Sequence, residues 1–236
     1  MTEETRAALG RRVLAVMAKA PIPGEVKTRL CPPLAPEQAA ELYRAFLVDT
    51  IAKARTLAGV EYALVYAPAE SKEFFVRTAP DAASYVLQQG TDVGERMCQC
   101  LQYLCEPGRN VVIIGADCPT LSVVYIDQAF RDLDTGKANV VFGPSEDGGY
   151  YLIGVSSYHP GLFSDVAWST SDVMDQSLDN AAKLGLRISL IPKWYDVDTP
   201  SDLVRLAEDV SGGSSVLLPS SATAEQLRRL SKLGIF

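Results

Sequence analysis

Val111-Val112-Ile113-Ile114-Gly115-Ala116-Asp117-Cys118-Pro119 is the stretch that decides the fold. Four consecutive branched apolar residues suit a strand buried on both faces, as in a parallel sheet covered by helices. The strand ends at a carboxylate. Working outward, Val140-Val141-Phe142 has the same two-sided character. Strand-length runs recur at Val13–Ala18, Tyr62–Tyr66, Ser84–Leu87, Tyr151–Val155 and Ile188–Ile191. Helix-length amphipathic segments separate them: Pro36–Leu57, Ser71–Thr78, Asp92–Leu104, Ser122–Leu133, Thr170–Leu184 and Pro200–Asp209. Asp92 with Glu95, and Thr199 with Asp202 after Pro200, have the form of capping boxes. This alternation predicts an α/β fold with a three-layer, mostly parallel sheet. Ligands of such folds bind beyond the carboxyl ends of the strands.

Composition narrows the function. The chain has 236 residues, 47% apolar and 22% charged, with a net charge of −7. That suits one globular domain, expected over residues 1–210, followed by a linker and short helix over 211–236. The absence of a basic cluster argues against nucleic acid as a partner. Five cysteines without a CxxC pair suggest reduced thiols and a cytoplasmic protein. The apolar run at Val13–Ala18 is too short to span a membrane, and the mixed charges before it do not suit a signal peptide. Near the end, Thr223 and Gln226 are expected to cap a helix carrying Leu227, Leu230 and Leu233. Those leucines predict docking onto the domain, with a homodimer contact as the alternative.

Three segments point to chemistry. The loop Lys19-Ala-Pro-Ile-Pro-Gly-Glu-Val-Lys-Thr-Arg-Leu30 follows the first strand and holds Lys19, Lys27 and Arg29. Extended backbone would turn Lys27 and Arg29 to one side, where an arginine fork and a lysine point charge suit phosphate. The second segment is the acid set: Asp117 after the fourth strand, and Asp196 and Asp198 after the last. Carboxylates from separate strand ends suit Mg2+ or Mn2+ held jointly with substrate phosphates. The third is Ser145-Glu146-Asp147-Gly148-Gly149-Tyr150-Tyr151, where glycines let a ligand approach the backbone and the acids can meet an acceptor. Trp168 precedes a helix and suits either a core position or the acceptor site. Neither GxxxxGK[ST] nor GxGxxG occurs, and the single histidine, His159, gives no support to a Ser-His-Asp hydrolase.

Five motifs, in order, carry a resemblance. They are Met17–Leu30, Gly90-Thr-Asp-Val-Gly-Glu-Arg-Met97, Gly115-Ala-Asp-Cys-Pro119, Gly143-Pro-Ser-Glu-Asp-Gly-Gly-Tyr150 and Asp196-Val-Asp-Thr-Pro200. Together they resemble the glycosyltransferase-A-like family called rSAM/selenodomain-associated transferases, relatives of 2-phospho-lactate and molybdenum-cofactor guanylyltransferases. The resemblance implies a nucleotide-diphospho-sugar transferase fold. It implies nucleotide contacts from Ala18, Lys19, Lys27, Arg29, Gly90, Asp92, Glu95 and Arg96, with Lys27 and Arg29 on the phosphates. Asp117 and Asp198 would hold the metal, joined by Asp196, and Glu146, Asp147, Gly148, Gly149 and Trp168 would face the acceptor. Sugar transferases of this fold carry an Asp-x-Asp after the fourth strand. Here the first of those positions is Gly115, which favours nucleotidyl transfer to a small acceptor over glycosyl transfer from a nucleotide sugar. A non-catalytic nucleotide-binding protein is the reading from outside enzymology.

Overall fold

A computed structural model of the chain describes residues 12–212 and 217–235. The mixed-charge N-terminal segment and the middle of the Ser/Gly-rich linker lie outside those residues. Seven strands form one sheet: β1 (Arg12–Lys19), β2 (Glu61–Ala67), β3 (Ser84–Leu87), β4 (Asn110–Gly115), β5 (Val140–Pro144), β6 (Tyr150–Val155) and β7 (Ile188–Leu190). The helices are α1 (Pro36–Thr56), α2 (Lys72–Thr78), α3 (Val93–Leu104), α4 (Val123–Asp134), α5 (Val173–Lys183), α6 (Pro200–Ser211) and α7 (Ala222–Lys232). Among the described residues no helix is long and apolar enough to cross a membrane.

The strand order is β3-β2-β1-β4-β6-β5-β7. β1 pairs in parallel with both β2 and β4, while β6 runs antiparallel between β4 and β5. The chain therefore builds to one side of β1 and then crosses to the other. That reversal opens a crevice at the carboxyl ends of β1 and β4. The apolar run of β4 has the predicted two-sided burial. Val112 and Ile114 enter one core with Leu14, Val16, Phe46 and Phe130. Val111 and Ile113 enter the other with Val13, Ala15, Leu101 and Phe142. Strand periodicity splits neighbours between two layers, and each fully buried side chain of this size contributes about 1.5–3 kcal/mol.

The predicted helix ends shift in ways that matter for the site. Asp92 accepts from the Glu95 backbone N–H at 2.8 Å, but the Glu95 carboxylate bonds Thr91 rather than closing a box on Asp92. The Thr199–Asp202 box is complete. α5 starts at Val173 rather than Thr170, because Gly148 O takes the Met174 N–H at 3.0 Å and the residues before it form a separate turn.

α7 docks on α1. Its cap is Ser221, not Thr223 or Gln226, and Ser221 Oγ accepts from Ala224 N at 3.1 Å. Asp49 of α1 accepts the next free N–H groups, from Ala222 at 3.0 Å and Thr223 at 2.8 Å. A carboxylate at a helix N-terminus satisfies orphan donors and complements the helix dipole. Leu227 and Leu230 are buried, whereas Leu233 is 67% exposed.

Candidate active site

A cleft of about 770 Å³ lies at the carboxyl ends of β1 and β4. That volume falls within the usual range of small-molecule sites.

The cationic loop is not extended. Lys27 adopts a left-handed backbone (φ 49°), and Thr28–Leu30 form one 3₁₀ turn. A non-glycine residue in that region costs about 1–2 kcal/mol. The turn drives the Lys27 side chain inward until only 4% of it is exposed. Its ammonium pairs with Asp117 and lies 2.6 Å from Asp198 Oδ1. Tyr43 presents its ring to the same ammonium, 5.9 Å from its centroid, and the Tyr43 hydroxyl accepts from Lys19 N at 3.0 Å. Arg29 stays outside, 70% exposed, with its guanidinium 3.7 Å from Asp198.

The two acids meet because the tail after β7 is stitched to its neighbours. Trp194 N donates to Pro144 O at 3.0 Å, and Val197 N donates to Asp117 O at 3.0 Å. The second bond sets Asp198 beside Asp117. β7 ends at Leu190, so this is not the extra strand length that would align Asp196 with Asp198. Neither acid serves as a simple cap. Ser122 caps α4 for itself, and the Asp198 backbone N–H donates to Asp202.

Electrostatics follow from this burial. Burial pulls the Lys27 ammonium toward deprotonation, but Asp117 and Asp198 outweigh it and hold it above its ordinary range. Asp198 is likewise opposed by burial, yet the Lys27 charge keeps its carboxyl below the usual range. Asp196 goes the other way. Burial, then the nearby charges of Asp198 and Asp147, push it up to about 6. Ser145 Oγ donates to it at 3.2 Å.

Of the residues expected to contact nucleotide, Ala18, Lys19, Lys27, Arg29 and Arg96 line the cleft. Gly90, Asp92 and Glu95 shape its edge instead. Gly90 O accepts from Arg96 Nε at 3.1 Å, and Asp92 and Glu95 are occupied with the start of α3. Of the residues expected to face an acceptor, Asp147, Gly149 and Trp168 line the cleft. Glu146 turns away to a bidentate pair with Arg205 at 2.7 and 3.1 Å. Gly148 packs against Ser171. Its φ is 91°, and a Cβ there would fall 2.3 Å from Ser171 O. Trp168 is both core and wall: it stacks on Phe163 at 6.2 Å and also lines the cleft. Its seat is Gly94, where a Cβ would lie 1.9 Å from the indole. Sequence reading missed Gly94, Tyr43 and Gln88. The only signal was Gly94 beside the Asp92 cap, and it pointed to no partner.

Among the described residues no three His, Cys, Asp or Glu side chains form a metal-binding group. Asp196 neighbours Asp198, but the two acids that pair with Lys27 are Asp117 and Asp198. The pair by itself still converges on one cation, the Lys27 ammonium. Two carboxylates directed at a shared point fit Mg2+, which takes its other oxygens from phosphates and water.

The strand order, with its switch-point crevice, is that of the nucleotide-diphospho-sugar transferase fold, as the match to a solved structure shows. Residues 50–170 match the family described as "uncharacterized protein conserved in bacteria", DUF2064, and the chain belongs to that family. A protein from Desulfovibrio desulfuricans G20, provisionally named a nucleotide-diphospho-sugar transferase, is 30% identical, with a TM-score of 0.84 over 94% of this chain and 96% of that one. More distant structures share the fold. Molybdopterin-guanine dinucleotide biosynthesis protein A from Archaeoglobus fulgidus is 11% identical with a TM-score of 0.53, over 85% of this chain and 99% of that one. 4-Diphosphocytidyl-2C-methyl-D-erythritol synthase from Anaerococcus prevotii DSM 20548 is 12% identical with a TM-score of 0.55, over 84% and 96%. No curated protein matches the chain.

Proposed function

We propose that this protein transfers a nucleotidyl group from a nucleoside triphosphate to a small acceptor, with Mg2+ or Mn2+ as cofactor. The observation that carries the reading is the Lys27 ammonium buried between Asp117 and Asp198. The pair is already arranged to hold a cation, and Lys19, Arg29 and Arg96 stand beside it to meet phosphate. Asp117 and Asp198 would hold the metal, which would neutralise phosphate charge. Lys27 would then turn from the acids to the phosphates, a change of partner that leaves its charge compensated. Arg29, exposed and lightly held, is free to grip the leaving phosphates.

In this reaction an acceptor oxygen attacks the α-phosphorus and gives its proton to water or a site carboxylate. The bond from the α-phosphorus to the bridging oxygen breaks, and pyrophosphate leaves. Positioning and charge neutralisation suffice for such a displacement, consistent with a cleft that no described histidine lines and whose one lining thiol, Cys118, is kept protonated by burial. Gly115, at the position of the first acid of an Asp-x-Asp, supports nucleotidyl rather than sugar transfer. The provisional name of the 30%-identical protein favours the second reading, sugar transfer from a nucleotide sugar. The products separate the two. Incubation with nucleoside triphosphates or nucleotide sugars, Mg2+ and an acceptor panel should release pyrophosphate. Release of a nucleoside diphosphate from a sugar donor, with no pyrophosphate from any triphosphate, overturns the choice.

A further inference from the structure

Glu146 and Arg205 do not line the cleft, yet both touch the tail that carries Asp196 and Asp198. That tail has left the sheet. β7 ends at Leu190, and beyond it Trp194 pairs with Ser145 as an isolated bridge. Glu146 holds the tail through its main chain, its N–H donating to Trp194 O at 3.1 Å. Its carboxylate holds Arg205, whose guanidinium lies 3.8 Å from the Tyr195 ring centroid. One turn further along α6, Asp209 accepts from the Tyr195 hydroxyl at 2.5 Å. The buried Tyr195 is therefore gripped by α6 at its ring face and at its tip. Its neighbour Trp194 is held from another segment, Nε1 donating to Thr120 Oγ1 at 3.1 Å. The chain runs directly from these two anchored residues to Val197, whose N–H meets Asp117 O, and to Asp198.

Resting on the metal-binding reading above, we infer that Arg205 and Glu146 are positioning residues. Their bidentate pair fixes Tyr195, and through it the place of Asp198 opposite Asp117, and so sets the affinity of the acid pair for a divalent cation. Both side chains are half-exposed, so the pair adds little to overall stability. Its two parallel bonds add geometric definition instead. A metal site depends on such definition, because residues that orient its ligands from behind typically govern affinity by roughly 10- to 100-fold. The role differs from that of a site acid, since neither side chain touches the ligand.

Arg205→Ala tests the inference, with Arg55→Ala as the control. Arg55 makes a bidentate pair of the same kind with Asp81, beside Tyr62 at the amino end of β2. Amide exchange followed by NMR should be roughly 10-fold faster at Val197 in Arg205→Ala. It should be unchanged at Ala116, whose N–H donates to Met17 O between β1 and β4. Mn2+ affinity, read by electron paramagnetic resonance on a Lys27→Ala background that bares the acids, should fall roughly 10-fold. Arg205→Lys should recover little of either, because an ammonium replaces neither the fork nor the stacked plane. Arg55→Ala should change neither. Unchanged exchange at Val197, an equal gain at Ala116, or undiminished Mn2+ affinity overturns the inference. Selectively faster exchange at Val197, in a protein whose bared acids bind no Mn2+, supports the positioning and counts against the metal reading.

Discussion

Lys27 and Trp168 face one cleft from different walls, and their surroundings differ in kind. Lys27 sits on strained backbone, buried in charge, with both of its partners on other segments of the chain. Trp168 is held by shape: a stacked ring behind it and a glycine beneath it. On the proposed reading the first wall would exchange partners, a metal ion taking the place of the ammonium between the carboxylates. The second is built to stay in place. The proposed transfer would use that contrast, since a highly charged donor must be neutralised whereas a small acceptor must chiefly be oriented.

Substitutions that cut one wall and spare the other test the contrast. The largest effect is expected from Lys27→Ala. Transfer should fall by roughly 100- to 1000-fold. The bared acids should cost only about 1–2 kcal/mol of stability, because both are partly exposed to water. Mg2+ alone should raise the melting temperature of this variant more than that of wild type. Equal shifts would mean that Lys27 and the metal do not share a site. Gly94→Ala should act on the other wall. The added Cβ pushes the indole aside, costing about 1–3 kcal/mol in overpacking, and it should raise the acceptor KM while leaving nucleotide affinity unchanged. A calorimetric titration showing weaker nucleotide binding in that variant would join the walls that the account separates.

Further from the cleft, Asp49→Ala should release α7 at a cost of about 0.5–2 kcal/mol. Hydrogen exchange would then quicken across Ala222–Lys232 and leave β4 unchanged. Asp196→Asn has the smallest expected effect and a defined pH window. The folded-state pKa of Asp196 is raised to about 6 from an ordinary 3.8. The folded protein therefore keeps this proton where the unfolded chain has lost it, and stability drains away as pH rises between those values. Above about 6 the carboxylate is a net burden, so the asparagine variant should be more stable there by on the order of 1 kcal/mol, after allowance for solvent screening. Below about pH 4 the two proteins should melt alike. A variant advantage that grows toward acid pH would reverse the assigned sign.

Much of the fold was legible because it rests on local pattern. Val111-Val112-Ile113-Ile114 declared a strand buried on both faces, and the Thr199–Asp202 box with Pro200 marked a helix start. Two kinds of information were not local. The bond from Val197 N to Asp117 O brings together residues 80 positions apart, and no spacing along the chain announces it. The left-handed turn at Lys27 contradicts the extended backbone expected there, because the ion pairs beyond it, not propensity, select the conformation. The acceptor wall was the least readable part. Gly148 and Glu146 were read for the glycine's openness and the acid's charge, and their partners Ser171 and Arg205 come from distant segments that no local pattern announces. Which glycine admits a ligand and which admits another segment of the chain is decided only by tertiary packing.

The central claim is that Asp117 and Asp198 give up Lys27 for a metal that arrives with a nucleotide. The direct measurement is thermal melting with each nucleoside triphosphate, with and without Mg2+, in wild type, Asp117→Asn and Asp198→Asn. At about 100 times Kd a ligand stabilises by about 2.7 kcal/mol, or roughly 5–10 °C for a chain of this size. The account predicts a rise of that order for at least one triphosphate in wild type, dependent on Mg2+ and lost in both variants. No Mg2+-dependent rise with any triphosphate, or an equal rise in the variants, would contradict it.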